Sequence, residues 1–273
     1  MEECRKEPGS EFRYVFLSLI NNLKSALDLY KFVDDCTLSE CLPAGCSSIM
    51  QQEIINLQTW SSINKMNINI KKTKEMILGP ARERPPMGLQ LNAKTIDRVT
   101  VYKLLGLHVT DELKWQAHVS AICSKASKRL HFLRLLKRAS MSIADLTHYY
   151  ETIIRPIMEY ACVVWHTSLT KGQNEQLERI QRRALRIIYG GDNDGRRQAL
   201  STMRPLSDRR DQLCRKFFKK LLEPTSCLHQ LLPIARDDDV TERLRRAKRY
   251  LAPRTRTELF KKSAIVYALN NYL

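Results

Sequence analysis

Two adjacent carboxylates, Asp34 and Asp35, stand between short runs rich in aromatic and β-branched residues: Tyr30-Lys31-Phe32-Val33 before them and Cys36-Thr37-Leu38 after. That pattern predicts strand, tight turn, strand, with both acids at the turn. Carboxylates on a hairpin suit a hard divalent cation. Mg²⁺ takes oxygen ligands, and two such ions can bridge the attacking and leaving oxygens of a phosphoryl transfer. A solvated acidic turn is the plain alternative. Lys72, in Asn69-Ile70-Lys71-Lys72-Thr73-Lys74, is the other candidate. A lysine on a loop beside a two-metal site can meet a triphosphate as a point charge and give a proton to departing pyrophosphate; solvation among its neighbouring lysines is equally consistent.

Such groups need elements to hold them. Ile54, Leu57, Trp60 and Ile63 recur every three residues and predict an amphipathic helix laid against a sheet, with Trp60 as a core anchor. Glu75 to Leu78 reads as a strand ended by Gly79-Pro80, and residues 81–88 as a linker. Leu89 to Leu91 and Ile96 to Val101 predict a hairpin about Asn92-Ala93-Lys94, and Tyr102 to Val109 a further strand. Within that strand Gly106 serves either a close backbone approach or plain packing. Upstream, Phe16, Leu19, Ile20 and Leu23 share one helical face.

From Asp111 onward the period is helical. Trp115, Val119, Ile122, Ala126, Leu130, Leu133 and Leu136 line one face, with Lys125, Lys128, Arg129, Arg134, Lys137 and Arg138 mostly off it. A second helix over 143–164 is expected to bury Tyr149, Ile153, Ile157, Tyr160, Ala161 and Val164, and to kink or break at Pro156. A third, 174–189, would start at an Asn cap, expose Arg179, Arg182, Arg183 and Arg186, and stop at Gly190-Gly191. A fourth, 206–222, would turn Leu206, Leu213, Phe217 and Leu221 inward and Arg209, Arg210, Arg215, Lys216, Lys219 and Lys220 outward.

The net charge of +17 is unevenly placed. Residues 1–111 carry 14 Lys/Arg against 13 Asp/Glu, whereas residues 112–273 carry 32 against 16. The second half is therefore a candidate polyanion-binding surface, because phosphate neutralisation supplies most non-specific nucleic-acid affinity. The eight cysteines show no Cys-x2-Cys spacing, and the evenly spaced Cys36, Cys41 and Cys46 have no nearby His to complete a zinc set. With no secretory signal, the thiols are expected to be reduced and the protein intracellular, in cytoplasm or nucleus. No apolar run reaches the ~20 residues a bilayer crossing needs, so no membrane partner is expected.

Four motifs follow in order: Phe32-Val33-Asp34-Asp35, Trp60-x3-Asn64, Asn69-x2-Lys72-Thr73-Lys74 and Tyr102-Lys103-Leu104-Leu105-Gly106. From about residue 16 to the C-terminus the chain resembles the reverse transcriptase of non-LTR (LINE-type) retrotransposons, most like the jockey group. The resemblance implies an α+β fold: after a degenerate or disordered lead (1–15), a partial polymerase palm of antiparallel hairpins packed on helices (16–110), a helical thumb-like region (111–190) and a basic helical C-terminal region (191–273).

The implied activity is RNA-templated DNA synthesis by two-metal nucleotidyl transfer with two Mg²⁺ ions. Asp34 would coordinate metal, Asp35 would support the hairpin or the outer shell of the metal site, and Lys72 would serve the leaving group. The implied partner is a template–primer duplex. It would be met by Lys103 and Gly106 at the primer end, by Lys125, Lys128, Arg129, Arg134, Lys137 and Arg138 on the first long helix, and by Arg182, Arg183 and Arg186 further on. Family catalysis also needs a carboxylate from an earlier strand and the fingers, which would precede residue 1. The chain is therefore expected to be a C-terminal fragment, inactive alone, with at most weak metal binding. The alternative is a non-enzymatic, basic nucleic-acid-binding fragment.

Overall fold

A computed structural model describes residues 20–43, 46–83, 85–195, 203–236 and 249–273. The expected lead at 1–15, and all but the end of the helix expected from Phe16, lie outside those residues. The chain is mixed helix and small sheets, divided into two compact units, Met1–Tyr102 and Lys103–Leu273.

In the first unit, β1 (Asp28–Phe32) and β2 (Asp35–Ser39) pair antiparallel, from Asp28 opposite Ser39 to Phe32 opposite Asp35. The two-residue turn between them is Val33-Asp34. Val33 has φ 55°, the left-handed backbone that a hairpin's first turn position demands and that a β-branched residue resists. Because side chains alternate along a strand, Tyr30 and Phe32 share a face with Asp35 and Thr37. That face is open, with Tyr30 and Phe32 both about 60% exposed. The other face is tied down by Lys31, whose ammonium donates to the carbonyls of Ile20, Asn21 and Leu23 at 2.8, 3.3 and 2.5 Å.

The helix α1 (Met50–Ile63) packs on a different hairpin, β4 (Gln90–Leu91) with β5 (Lys94–Thr95), through a core of Ile54, Leu91 and Ile96 with Met50, Ile68, Ile70 and Leu89 around it. Its three-residue apolar spacing does not make a single buried stripe. Ile54 is buried, Leu57 and Trp60 are half-buried, and Ile63 is 75% exposed. Each step of three falls about 60° short of a full turn, so Ile63 ends on the side opposite Ile54. Glu53 on the same helix accepts from Ser25 Oγ at 2.5 Å and the Ala26 amide at 3.1 Å, which anchors the segment entering β1.

Asn92 and Ala93, both at positive φ, form the turn of the second hairpin. The strand expected over 96–101 does not continue it. Asp97–Arg98 (β6) instead pairs in parallel with Lys74–Glu75 (β3), stitched by Lys74–Asp97 at 2.6 Å and Arg98–Glu75 at 2.9 Å. The strand expected over 75–78 is confined to this two-residue pair. Among the described residues every sheet is two-stranded.

The next hairpin, β7 (Val101–Leu104) with β8 (Leu107–Thr110), contains the unit boundary. The sequence predicts one unbroken strand over 102–109, but Leu105 (φ 45°) and Gly106 (φ 89°) turn the chain back. From there the second unit is helical: α2 (Gln116–Arg138), α3 (Ile143–Tyr149), a wide i→i+5 turn at Tyr150–Ile154, α4 (Arg155–Glu159), α5 (Cys162–Trp165), α6 (Lys171–Tyr189), α7 (Leu206–Leu221), α8 (Glu258–Lys261) and α9 (Ala264–Asn271).

Pro156 does not simply kink the second helix. The ring lacks an N–H and crowds the carbonyl four residues back, and the widened turn just before it absorbs both defects. The wider turn also resets the core register. Leu146, Tyr150, Ile154, Met158, Cys162 and Trp165 are buried, one residue on from most of the expected set, while Ile153, Tyr160 and Val164 are more than 40% exposed.

One cap corrects the sequence reading, and a second lies where the sequence reading named none. α6 begins at Thr170, not Asn174, in a capping box: Thr170 Oγ1 accepts from the Gln173 amide and the Gln173 side chain accepts from the Thr170 amide. It stops at Gly190, with φ 60°. α7 begins after Pro205, which offers no capping side chain. The Glu178 carboxylate of α6 accepts from the amides of Leu206 and Ser207 at 3.2 and 2.8 Å instead. Removing that acceptor by Glu178→Ala should cost about 1–2 kcal/mol, measured as a lower denaturation midpoint at unchanged m-value.

α7 also shows a one-residue shift. Cys214 and Phe218 are buried where Leu213 and Phe217 were expected, and Arg210, expected outward, is fully buried. No helix among the described residues is long and apolar enough to cross a membrane.

Candidate nucleic-acid interface

Asp34 sits in the β1–β2 turn and Asp35 opens β2, so both acids stand at a hairpin tip, exposed to solvent. A type-specified two-residue turn with paired flanking strands is a firm mount for either carboxylate. The donor set does not fit a two-ion clamp. Adjacent residues project differently from a hairpin, and among the described residues no three His, Cys, Asp or Glu side chains come together as a metal-holding group. Lys72 is exposed, in a turn where its amide bonds to Asn69, with no ion pair among the described residues.

Gly106 is a turn glycine that is also closely packed. A Cβ built there would lie 3.2 Å from Tyr160 Cε1, and the Tyr160 hydroxyl donates to the Leu105 carbonyl at 2.9 Å. Both readings of this residue therefore hold at once. Gly106→Ala would force an L side chain into positive φ and push the Tyr160 ring aside; we expect about 1–2 kcal/mol of lost stability, seen by chemical denaturation. Lys103, on β7, is exposed.

The long helix α2 carries the strongest signal. Over 23 residues it holds Lys125, Lys128, Arg129, Arg134, Lys137 and Arg138 and no Asp or Glu. Five of the six cations are exposed, Lys137 is half-buried, and none makes an ion pair among the described residues. Like charges three and four residues apart cost a helix a few tenths of a kcal/mol per pair, so this row is tolerated against local stability. The opposite face, Val119, Ile122, Ala126, Leu130 and Leu133, is buried in the main core as expected. Lys125, Lys128, Arg129, Phe132 and Leu135, at helical spacings of three and four, share the outer face. Phe132 and Leu135 are 48% and 43% exposed.

The other arginine row is different. On α6, Arg179, Arg182, Arg183 and Arg186 are all exposed, but Arg179 and Arg182 pair with Glu175. Their pull holds the Glu175 carboxyl below its ordinary pKa, led by the hydrogen bond from Arg182. Arg183 and Arg186 have no such partner among the described residues. Both α2 and α6 bury their apolar faces in one core, and their cations lie off those buried faces.

Inside the same core lies a polar cluster that periodicity does not reveal. Trp165 is flanked by His118, centroid to centroid 5.4 Å, and by the Arg210 guanidinium, 5.6 Å from its ring centre. Arg210 donates to Asn174 Oδ1 at 2.8 Å and to His166 Nδ1 at 3.3 Å. Burial pushes the His118 pKa down to about 4, with His108 adding to the effect. Burial together with the Arg210 charge does the same to His166. This cluster holds α5, α6 and α7 together and belongs to the scaffold behind the cationic helix.

Comparison with known proteins adds one match. A family model described as "Alkylated DNA repair protein alkB homolog 8, N-terminal" matches residues 115–155, well under half of the chain, which covers α2, α3 and the wide turn after it. No curated protein and no solved structure matches.

Proposed function

We propose that this chain binds nucleic acid of the template–primer kind through its basic helical unit, as the thumb-side portion of a LINE-type reverse transcriptase. The observation that carries the proposal is α2: six cations, no carboxylate, five of them exposed and without an ion pair among the described residues. A helix so charged gains most from a partner that brings a row of phosphates and releases counterions. The ordered motifs from Phe32-Val33-Asp34-Asp35 to Tyr102-Lys103-Leu104-Leu105-Gly106 support the reverse-transcriptase assignment, as does an Asp-Asp pair at a hairpin tip. The family match over 115–155 falls on the same helix, and its name is that of a DNA repair protein.

The palm and thumb roles of the two units, the template–primer and the Mg²⁺ ions belong to this proposal. So does its negative half: the 273 residues alone should bind but not polymerise, because one hairpin supplies too few ligands for two metal ions.

Salt titration of binding to a template–primer duplex is the test. With about five phosphates contacted, affinity should fall about 10²–10³-fold between ~50 and ~200 mM salt; affinity indifferent to salt would sink the proposal. Asp34→Ala should leave that binding unchanged. Robust dNTP- and Mg²⁺-dependent primer extension that Asp34→Ala abolishes would overturn the claim of inactivity while leaving the binding claim standing.

A further inference from the structure

The outer face of α2 mixes charge with exposed apolar surface in a way that phosphate contact alone does not require. Lys125, Lys128 and Arg129 occupy the turns just before Phe132, and Leu135 follows it, all on one solvent-facing stripe. The Arg129 guanidinium lies 5.9 Å from the Phe132 ring centre, and the His131 ring stands edge-on to it at 5.9 Å. A half-exposed phenyl ring pre-positioned under a guanidinium, next to unpaired cations, offers a π-face beside a backbone track. Duplex DNA hides the faces of its bases, whereas unpaired nucleotides can splay them onto such a ring. The absence of any carboxylate on the helix leaves nothing to repel the phosphates on either side.

We infer that the outer face of α2 is a site for single-stranded nucleic acid, with Phe132 stacking on an unpaired base and Lys125, Lys128 and Arg129 holding the flanking phosphates. This deepens the proposed function and rests on it. It assigns Phe132 a role in telling unpaired strands from duplex, and the lysines a role common to both.

The experiment measures fluorescence anisotropy of the full chain with a fluorescein-labelled oligothymidylate and with a duplex of equal length, at one fixed salt concentration. Phe132→Ala should lower the single-strand to duplex affinity ratio about tenfold, and Phe132→Trp should restore it. Lys128→Ala should weaken both ligands and reduce the salt slope by about 1. Phe132 is a surface residue, so an unchanged thermal midpoint will confirm that Phe132→Ala folds.

Binding to both ligands with a ratio that Phe132→Ala does not move overturns the stacking site and spares the proposed function. No salt-dependent binding to either ligand overturns both. Capture by vesicles of anionic phospholipid that Phe132→Ala abolishes, without a change in the oligonucleotide ratio, would assign the stripe to a lipid surface instead and overturn the inference.

Discussion

Replacing Arg210 by alanine is expected to destabilise the helical unit by about 3–5 kcal/mol, the largest single effect we anticipate anywhere in the chain. The side chain is fully buried between α5, α6 and α7, held by Asn174 and His166 and stacked near Trp165. Burial lowers its pKa, while the fields of Glu178 and Glu159 act in the opposite direction. Alanine removes this volume and strands the Asn174 carbonyl oxygen and His166 Nδ1 without their donor.

Arg210→Met distinguishes charge from volume. It keeps most of the packing and removes Nη1, which is buried without a hydrogen-bond partner, so it should cost about 1–2 kcal/mol. Arg210→Lys should fall nearer alanine, since an ammonium cannot reach Asn174 and His166 as a planar fork does. Denaturation followed by tryptophan emission in a Trp60→Phe background reads the right unit, because Trp115 and Trp165 both lie in it and Trp165 is buried beside the substituted residue. An Arg210→Ala midpoint equal to wild type would refute the assignment.

Acid should unfold the same region before its carboxylates titrate. His118 and His166, both pushed down to about 4, are neutral in the folded unit at pH 5, whereas an unfolded histidine takes up a proton near 6.5. Between those values the unfolded chain binds more protons than the folded one, so stability falls as pH drops. It is fully present above about 6.5, and each group subtracts up to about 1.4 kcal/mol per pH unit on the way to about 4. Partial solvent access at His166 brings the combined loss between pH 7 and 5 to on the order of 2–3 kcal/mol.

Thermal midpoints at pH 7 and pH 5 will show it. The double variant His118→Gln, His166→Gln should start less stable and have a flatter profile. His118 Nδ1 accepts from the His108 amide, so the neutral ring carries its proton on the partnerless Nε2, and a second proton would have to land on Nδ1 and displace that bond inside the core. His166 would gain its charge 3.3 Å from the Arg210 guanidinium. A wild-type midpoint that does not fall between pH 7 and pH 5 would refute this coupling.

Much of the local structure was legible because it depends on neighbours in sequence. The hairpin carrying Asp34 and Asp35 followed from β-formers on either side of a polar pair, although its turn is Val33-Asp34, one residue earlier than the expected Asp34-Asp35, because Val33 takes the left-handed backbone and Asp35 pairs with Phe32. The 23-residue α2 and its buried face followed from an unbroken 3.6-residue period, and its exposed cations from their places off that stripe. The absence of carboxylates on that helix could be read directly, yet Phe132 was unremarkable until its exposure and its Arg129 neighbour were seen.

Where periodicity misled, a backbone irregularity or a long-range contact was responsible. The turn at Leu105-Gly106 cut a strand in two, and the wide turn before Pro156 moved a whole core face by one residue. The cap of α7 came from Glu178, 28 residues upstream of Leu206, where no scan of adjacent residues would find it.

The sequence by itself determined the basic character of residues 112–273, the hairpin acids and the charged face of α2, since each is set by composition or by spacing within one segment. Tertiary structure alone decided that Arg210 is interior, that His118 lies against Trp165 and that His166 accepts from Arg210. Those outcomes depend on which helix packs against which, and burial of a polar group is settled by partners distant in the chain that supply its hydrogen bonds.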